Sequence, residues 1–452
     1  MINSSPLITI YITNYNYGKY IQQAIESVLK QSFQDFEILI IDDGSTDNSK
    51  KIINQYLSYD KIKIIYQQNL GLTKSNNKAL DLANGKYIMR LDADDILLEN
   101  SLEIFINEFK KDSSLGMIFG NWYVIDEYNN IIFEQKRFDF ENEVSLLDQP
   151  AHGACTMFKT EFLQELGGYD ESLTRQDGYE LWLRFIKRFK IKNVNQSIFK
   201  YRMHGENLTS NENKLLSTRS KILINHAKKY HELEKSVVII PIRETYNKGI
   251  PFQKINNKTY LEHKIDFSLN CKNVSHVIIS TIDPKIKDYI SLKYNDKVEV
   301  YLRPKVYAHT TQPLQLTIDE LLRESEVLLK SKYFFLLSVD LPLIEEFIIN
   351  SSIGLMEIFN LHNIIGVKKE DTLYFKHSGH SLYCINNDFS GIQYEKEEVY
   401  TKIKGFNLIN TKLYLESKKL FGDKIGHVMF DKISSLKVEN EIDLKIVNCL
   451  QK

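Results

Sequence analysis

The chain has 452 residues, 43% hydrophobic and 26% charged, a globular composition too long for one ordinary core. Its formal net charge of −1 supplies no global field for nucleic acid or an anionic bilayer, so nucleic acid is not an expected partner. Four scattered cysteines (Cys155, Cys271, Cys384 and Cys449) form no CxxC pair, which argues against a zinc knuckle or a disulfide framework.

The opening Met1-Ile2-Asn3-Ser4-Ser5-Pro6 shows no basic stretch followed by an apolar one, so no secretion signal is read there. Leu7 to Thr13, rich in isoleucine and threonine, predicts a strand. A helix is expected from about Lys19 to Lys30, with Ile21, Ile25, Val28 and Leu29 on one face. Phe36 to Ile41 is a second strand, and Ser45, Thr46 and Asp47 can cap the helix after it. Ile62 to Tyr66, Leu72 to Leu82 and Lys86 to Leu91 follow as strand, helix and strand.

The charged stretch Lys228 to Lys235 marks a boundary near residue 234 and hence two domains, 1–233 and 234–452. Beyond it, Val237 to Pro241 is a new strand and Thr259 to Leu269 a helix. His276 to Ser280 and Val298 to Tyr301 are strands, Leu314 to Leu329 a helix, and Tyr333 to Ser338 a strand. The alternation predicts an α/β protein whose two domains are each a mostly parallel sheet flanked by helices. The most apolar window, Phe334 to Phe359, is broken by Asp340, Glu345, Glu346, Asn350 and Glu357. No transmembrane helix is expected, and the chain reads as cytoplasmic, meeting a membrane-associated acceptor peripherally at the inner face.

Ligands of open α/β sheets sit beyond the carboxyl ends of the strands. In the first half those ends are Thr13-Asn14-Tyr15-Asn16, Asp42-Asp43 and Asp92-Ala93-Asp94-Asp95. Each alone suits a capped turn. Together they crowd carboxylates that Mg²⁺ or Mn²⁺ would relieve, and such an ion can also neutralise a departing diphosphate.

Residues 7 to about 210 resemble a family 2 glycosyltransferase of the GT-A fold. The similarity is carried by ITNYNYGKYIQQAIESVLKQSF, FEILIIDDGSTDNS, NLGLTKSNNKALDLANGKYIMRLDADD, GGYDE and RQDGYELWLRF. The resemblance implies an inverting, metal-dependent transfer of a hexose from a UDP-sugar to a glycan or lipid-linked glycan of the cell surface. By it, Thr13 and Asp43 hold the uracil, Asp92 lies near ribose and metal, Asp94 coordinates the metal and Asp95 extends the acidic set. Asp177 in Arg175-Gln176-Asp177 matches the catalytic base, although the family usually shows Glu-Asp there. Lys74 and Asn77 fall in a segment near the donor, on what is equally a solvated helix face. His152, Arg202 and His204 are candidates for the phosphate or acceptor site.

In the second half, IPIRETYNKGIP, LRPKVYAHTTQPL, LLSVDLPLI, GHSLYCINND and KVENEIDL resemble the CMP-sialic acid synthetases, which are cytidylyltransferases of a nucleotidyltransferase-like, Rossmannoid fold. The resemblance puts Arg243, Lys248 and Arg303 at a nucleotide and Asp340 and Glu439 at a metal, with CTP and an acidic sugar as substrates. It is compatible with a homodimer. The loop departs from the family's Arg-Gly-Gly-Ser-Lys-Gly, being one residue longer and lacking both glycines. Lys437-Val438-Glu439 stands where an Asp-Ile-Asp is usual, exchanging a metal ligand for a repelling charge. Three readings follow: a glycosyltransferase that also activates an acidic sugar, one whose second half only binds or oligomerises, and a nucleotide-sensing scaffold. The intact aspartates of the first half argue against the last.

Overall fold

Strand β1 (Ile8–Asn14) is buried along almost its whole length, as a strand covered on both faces of a parallel sheet must be. It runs parallel to β2 (Phe36–Asp42), which pairs in turn with β3 (Ile62–Tyr66), and on its other side to β4 (Tyr87–Asp92). The computed structural model describes residues 5–136, 153–173, 176–204, 212–242, 249–255, 257–294, 296–308, 312–370, 375–377, 382–384 and 399–450. Two compact units divide them, the second beginning at Glu212. Both are α/β, so the predicted class holds.

In the first unit the helix Ile21–Leu29 buries Ile21, Ile25 and Val28 of the expected stripe together with Ala24, while Leu29 is only half-buried. Asp47 Oδ1 accepts from the Ser49 N–H at 2.9 Å, at the start of the short helix Ser49–Ile53. The sheet then continues through elements that alternation did not announce. These are β5 (Ile96–Leu97), β6 (Leu115–Ile125), β7 (Ile131–Gln135), β8 (Met157–Lys159) and β9 (Lys190–Arg202). The order is β3-β2-β1-β4-β8-β6-β9-β5, with β7 on β6. Strand β8 is antiparallel to both β4 and β6. This side of the sheet is therefore mixed, and three residues of β8 are too few for a period to show. Ile10, Ile12, Ile25, Ile38, Met89 and Leu91 are among the fully buried side chains of its core.

In the second unit, β10 (Ser236–Pro241) opens the sheet and is buried along nearly its whole length. A small antiparallel ladder of β11 (Lys254–Ile255) and β12 (Lys258–Thr259) precedes the helix Tyr260–Asn270. Then come β13 (Val274–Thr281), β14 (Val298–Leu302), β15 (Tyr333–Leu337), β16 (Asn363–Glu370), β17 (Phe375–His377), β18 (Leu382–Cys384), β19 (Val399–Asn410) and β20 (Ile425–Met429). The main order is β14-β13-β10-β15-β19-β16-β20, and β17 pairs with β18. The first four strands are parallel, while β19 is antiparallel to both neighbours.

Two local expectations change. The helix predicted over Leu314–Leu329 is broken into Leu314–Glu324 and Glu326–Lys330. Ser325 adopts an extended backbone there, and its hydroxyl accepts from Leu328 N–H as a new N-cap. The helix Glu212–Tyr230, drawn before the boundary at 234, belongs to the second unit. Ser220 Oγ donates to the Phe347 carbonyl at 2.9 Å, and Leu223 lies against Gly354 of the helix Glu346–Phe359. Among the described residues, no helix is long and apolar enough to cross a membrane.

Candidate functional site

The strand ends of the first unit converge as the topology requires. Thr13, half-buried, lies beside Asp92 in the β1–β4 register, and Asn14 beside Asp42. Asp43, one residue past β2, is buried and organises the chain that follows. Its Oδ1 accepts from Gln67 Nε2 at 2.8 Å and Leu70 N–H at 2.9 Å, and its Oδ2 from Gly71 N–H at 2.8 Å. One carboxylate thus fixes the entry to the helix Leu72–Leu82. On that helix Lys74 is exposed. Asn77 is turned to the 169–171 segment, accepting from Tyr169 N–H at 2.8 Å and donating to the Tyr169 carbonyl and Glu171 Oε1, each at 3.0 Å. Its visible work is to hold that segment.

The residue that composition hides is Arg90. It sits inside β4 with little exposure, two positions before Asp92 and on the same face. Its Nε lies 2.9 Å from Asp92 Oδ1, and its Nη1 lies 3.2 Å from Asp177 Oδ2. Asp177 opens the helix Asp177–Phe185 and also accepts from Asn76 Nδ2 at 3.1 Å. Burial works against a charge on Arg90, but Asp92 and Asp177 outweigh it and raise its pKa above the usual arginine range. Neither Arg90 nor Asn76 was singled out from sequence. An arginine within an otherwise apolar strand, Tyr-Ile-Met-Arg-Leu, is the signal that could have found it.

Asp94 and Asp95 form the other side of the cluster. Asp94 Oδ2 is 2.9 Å from His204 Nε2. The imidazole stacks on Tyr20 at 5.7 Å between ring centres and meets Tyr17 edge-on at 5.7 Å. Asp95 Oδ1 accepts from Arg202 N–H at 3.0 Å, and its Oδ2 is buried without a hydrogen-bond partner. Burial raises the pKa of both carboxyls, and neighbouring aspartates add to the effect. The donor chemistry, hard oxygens beside an imidazole, is of the type that suits Mg²⁺ or Mn²⁺. The expected joint centre of Asp92, Asp94 and Asp95 is nonetheless revised. Asp92 is engaged by Arg90, and among the described residues no three His, Cys, Asp or Glu side chains gather as a cation site.

Arg202 also departs from expectation. It is fully buried. Its Nε donates to the Asp94 carbonyl at 2.9 Å, its Nη1 to the Asp126 carbonyl at 3.2 Å, and its Nη2 to Gln23 Oε1 at 2.9 Å. A guanidinium spent on these carbonyl-type oxygens braces the loop beneath the aspartates rather than facing a diphosphate. His152 lies outside the described residues, as do Arg243 and Lys248 of the second unit.

The second unit's strand end differs in charge. Asp340, past β15, is buried, with Oδ2 3.5 Å from Lys437 Nζ and Oδ1 without a hydrogen-bond partner. The same ammonium is 2.6 Å from Glu439 Oε1. Lys437 therefore stands between the two carboxylates that the sequence offered to a metal, and the pair does not fit a divalent cation. Nearby, Lys264 is buried and donates to the Leu341 carbonyl, and burial pushes its pKa down to about 7 despite the opposing pull of Asp340. Arg303 is buried too, its Nη2 donating to the Ile242 carbonyl and its backbone N–H to the Thr281 carbonyl at 2.9 Å.

A family model described as Glycosyl transferase family 2 matches residues 9–167. The chain is 34% identical over 209 residues to an uncharacterized glycosyltransferase of Methanocaldococcus jannaschii, covering 44% of this chain and 71% of that one. It is 32% identical over 203 residues to a chondroitin synthase of Escherichia coli, covering 45% of this chain and 30% of that one. A chondroitin synthase of Pasteurella multocida is 25% identical over 445 residues, 97% of this chain and 40% of that one, so the likeness runs through both units. The chain spans less than half the length of either chondroitin synthase.

Proposed function

The chain belongs to glycosyl transferase family 2, and from that premise we propose that its first unit moves a sugar from a UDP-sugar to a growing glycan, with inversion at the anomeric carbon. The observation that carries this reading is Arg90 touching Asp92 on one side and Asp177 on the other. A carboxylate of the donor motif and a carboxylate able to take a proton then share one buried cation. That is the proximity a single displacement needs.

Asp177 accepts the proton of the acceptor hydroxyl as that oxygen attacks the anomeric carbon. The bond from that carbon to the diphosphate breaks, and UDP leaves. Thr13 and Asp43 would hold the uracil, Asp43 through the 67–71 segment that it organises. Asp94 and Asp95 would hold a divalent cation, whose chemistry there is to neutralise the departing diphosphate. Asp177→Asn keeps the shape and removes the base.

The names of the chondroitin synthase relatives suggest the acceptor class, a chondroitin-like polysaccharide. For the second unit we favour a binding or assembly role over CTP-dependent activation of an acidic sugar. The ammonium of Lys437 between Asp340 and Glu439 supports this, and so does a similarity to one polymer synthase that runs through both units. The test uses the full chain with Mn²⁺ and the UDP forms of N-acetylglucosamine, N-acetylgalactosamine and glucuronic acid. Chondroitin and hyaluronan oligosaccharides serve as acceptors, and mass spectrometry reads their extension by one residue. Extension lost in Asp177→Asn supports the assignment. Extension undiminished in that variant removes the base, and no extension with any pairing removes the acceptor class.

A further inference from the structure

We propose that Arg90 is the positioning residue of the transfer reaction, one buried guanidinium that sets the distance between donor-side Asp92 and acceptor-side Asp177; this rests on the reading of Asp177 as the base.

A charged side chain inside a buried strand is costly unless its partners are in place. Here they come from two separate parts of the fold. Asp92 is two residues along the same strand, while Asp177 lies 87 positions away on a different element. The contacts use different edges of the guanidinium. Nε and Nη2 face Asp92, at 2.9 Å and 3.4 Å, and Nη1 faces Asp177 at 3.2 Å. Because the guanidinium is a rigid plane, the two carboxylates are held at a fixed separation and relative tilt.

The surroundings leave the group little freedom. A Cβ on Gly153 would come within 2.8 Å of Arg90 Nη2, so the backbone at Gly153 lies directly against the guanidinium. The hydroxyls of Tyr11 and Tyr169 meet at 3.1 Å, and Tyr11 is the β1 register partner of Arg90. On the far side, Gln176 has φ +60, a left-handed backbone that a non-glycine residue keeps only when its neighbours hold it there. Asp177 is therefore presented by a constrained turn, and Asn76 steadies the same oxygen that Arg90 touches.

Lysine keeps the charge but offers a single point and cannot span both carboxylates. The full chain would be compared as wild type, Arg90→Lys, Arg90→Met and Asp177→Asn. UDP binding is measured by titration calorimetry with Mn²⁺. Transfer is measured with UDP-N-acetylglucosamine and a hyaluronan oligosaccharide. If Arg90 positions the two carboxylates, Arg90→Lys binds UDP within about threefold of wild type and loses about 100-fold in kcat, the cost of roughly an ångström of misplacement. Arg90→Met falls further. Should Arg90→Met fail to fold, Arg90→Lys carries the test. Wild-type kcat in Arg90→Lys overturns the proposal, as does a loss of UDP affinity equal to the loss in kcat, which is what a structural role alone would give. Asp177→Asn at the wild-type rate overturns the base assignment and this proposal together.

Discussion

The two units lay down their first four strands in the same order, β3-β2-β1-β4 in one and β14-β13-β10-β15 in the other, each then flanked by an antiparallel strand. In each, an aspartate follows or ends the fourth strand. Around Asp92 stand two further aspartates and one arginine. Around Asp340 stand two lysines, and Glu439, which shares Lys437 with it, is on the exposed side. The same scaffold thus offers an acidic cluster in one unit and a neutralised aspartate in the other. Topology sets where a ligand can sit, and the charge at the strand end sets what it can be.

This contrast can be broken most forcefully in the first unit. Asp177→Asn should lower transfer by about a thousandfold, within the usual range for losing a general base, as read by UDP release. In the second unit, Lys437→Ala should leave Asp340 buried without its ammonium and cost about 3 kcal/mol in urea unfolding. No loss would mean that the pair is not the neutraliser described here. Removing divalent cations with EDTA should slow transfer by about a hundredfold and be reversed by Mn²⁺. Transfer unaffected by EDTA would take the cation away from Asp94 and Asp95.

The smallest effect concerns local stability. Burial opposes the charge of Glu262, but Lys293 and the Thr259 capping box outweigh it and lower its pKa to about 2. The unfolded chain therefore takes up this proton first as pH falls. The stabilisation is complete above the ordinary glutamate pKa, near 4.3, and is lost as pH falls toward about 2. Glu262→Gln should cost about 1 kcal/mol at pH 7 and converge with wild type near pH 2 in denaturant melts.

The parallel half of each sheet was legible because Ile8–Asn14, Phe36–Asp42 and Val237–Pro241 are short apolar runs bounded by turn residues. The antiparallel additions were not. Strand β8 is three residues long, and β9 mixes buried and exposed positions without a strict period. The acidic strand ends were readable as residues but not as partners. Composition cannot tell that Asp92 is spoken for by Arg90, that Arg202 is spent on carbonyls, or that Lys437 lies between Asp340 and Glu439. The boundary at 234 followed charge, whereas the helix Glu212–Tyr230 follows its packing on Glu346–Phe359.

The proposal that the first unit transfers sugar while the second only binds or assembles is tested most directly by assaying two products of the full chain side by side. UDP release is followed with UDP-sugars, oligosaccharide acceptors and Mn²⁺. Pyrophosphate release is followed with CTP, Mg²⁺ and a panel of eight- and nine-carbon acidic sugars. The proposal predicts acceptor-dependent UDP release and no sugar-dependent pyrophosphate. Pyrophosphate formed with one acidic sugar and abolished by EDTA would contradict it, because Lys437 would then not exclude the cation from Asp340.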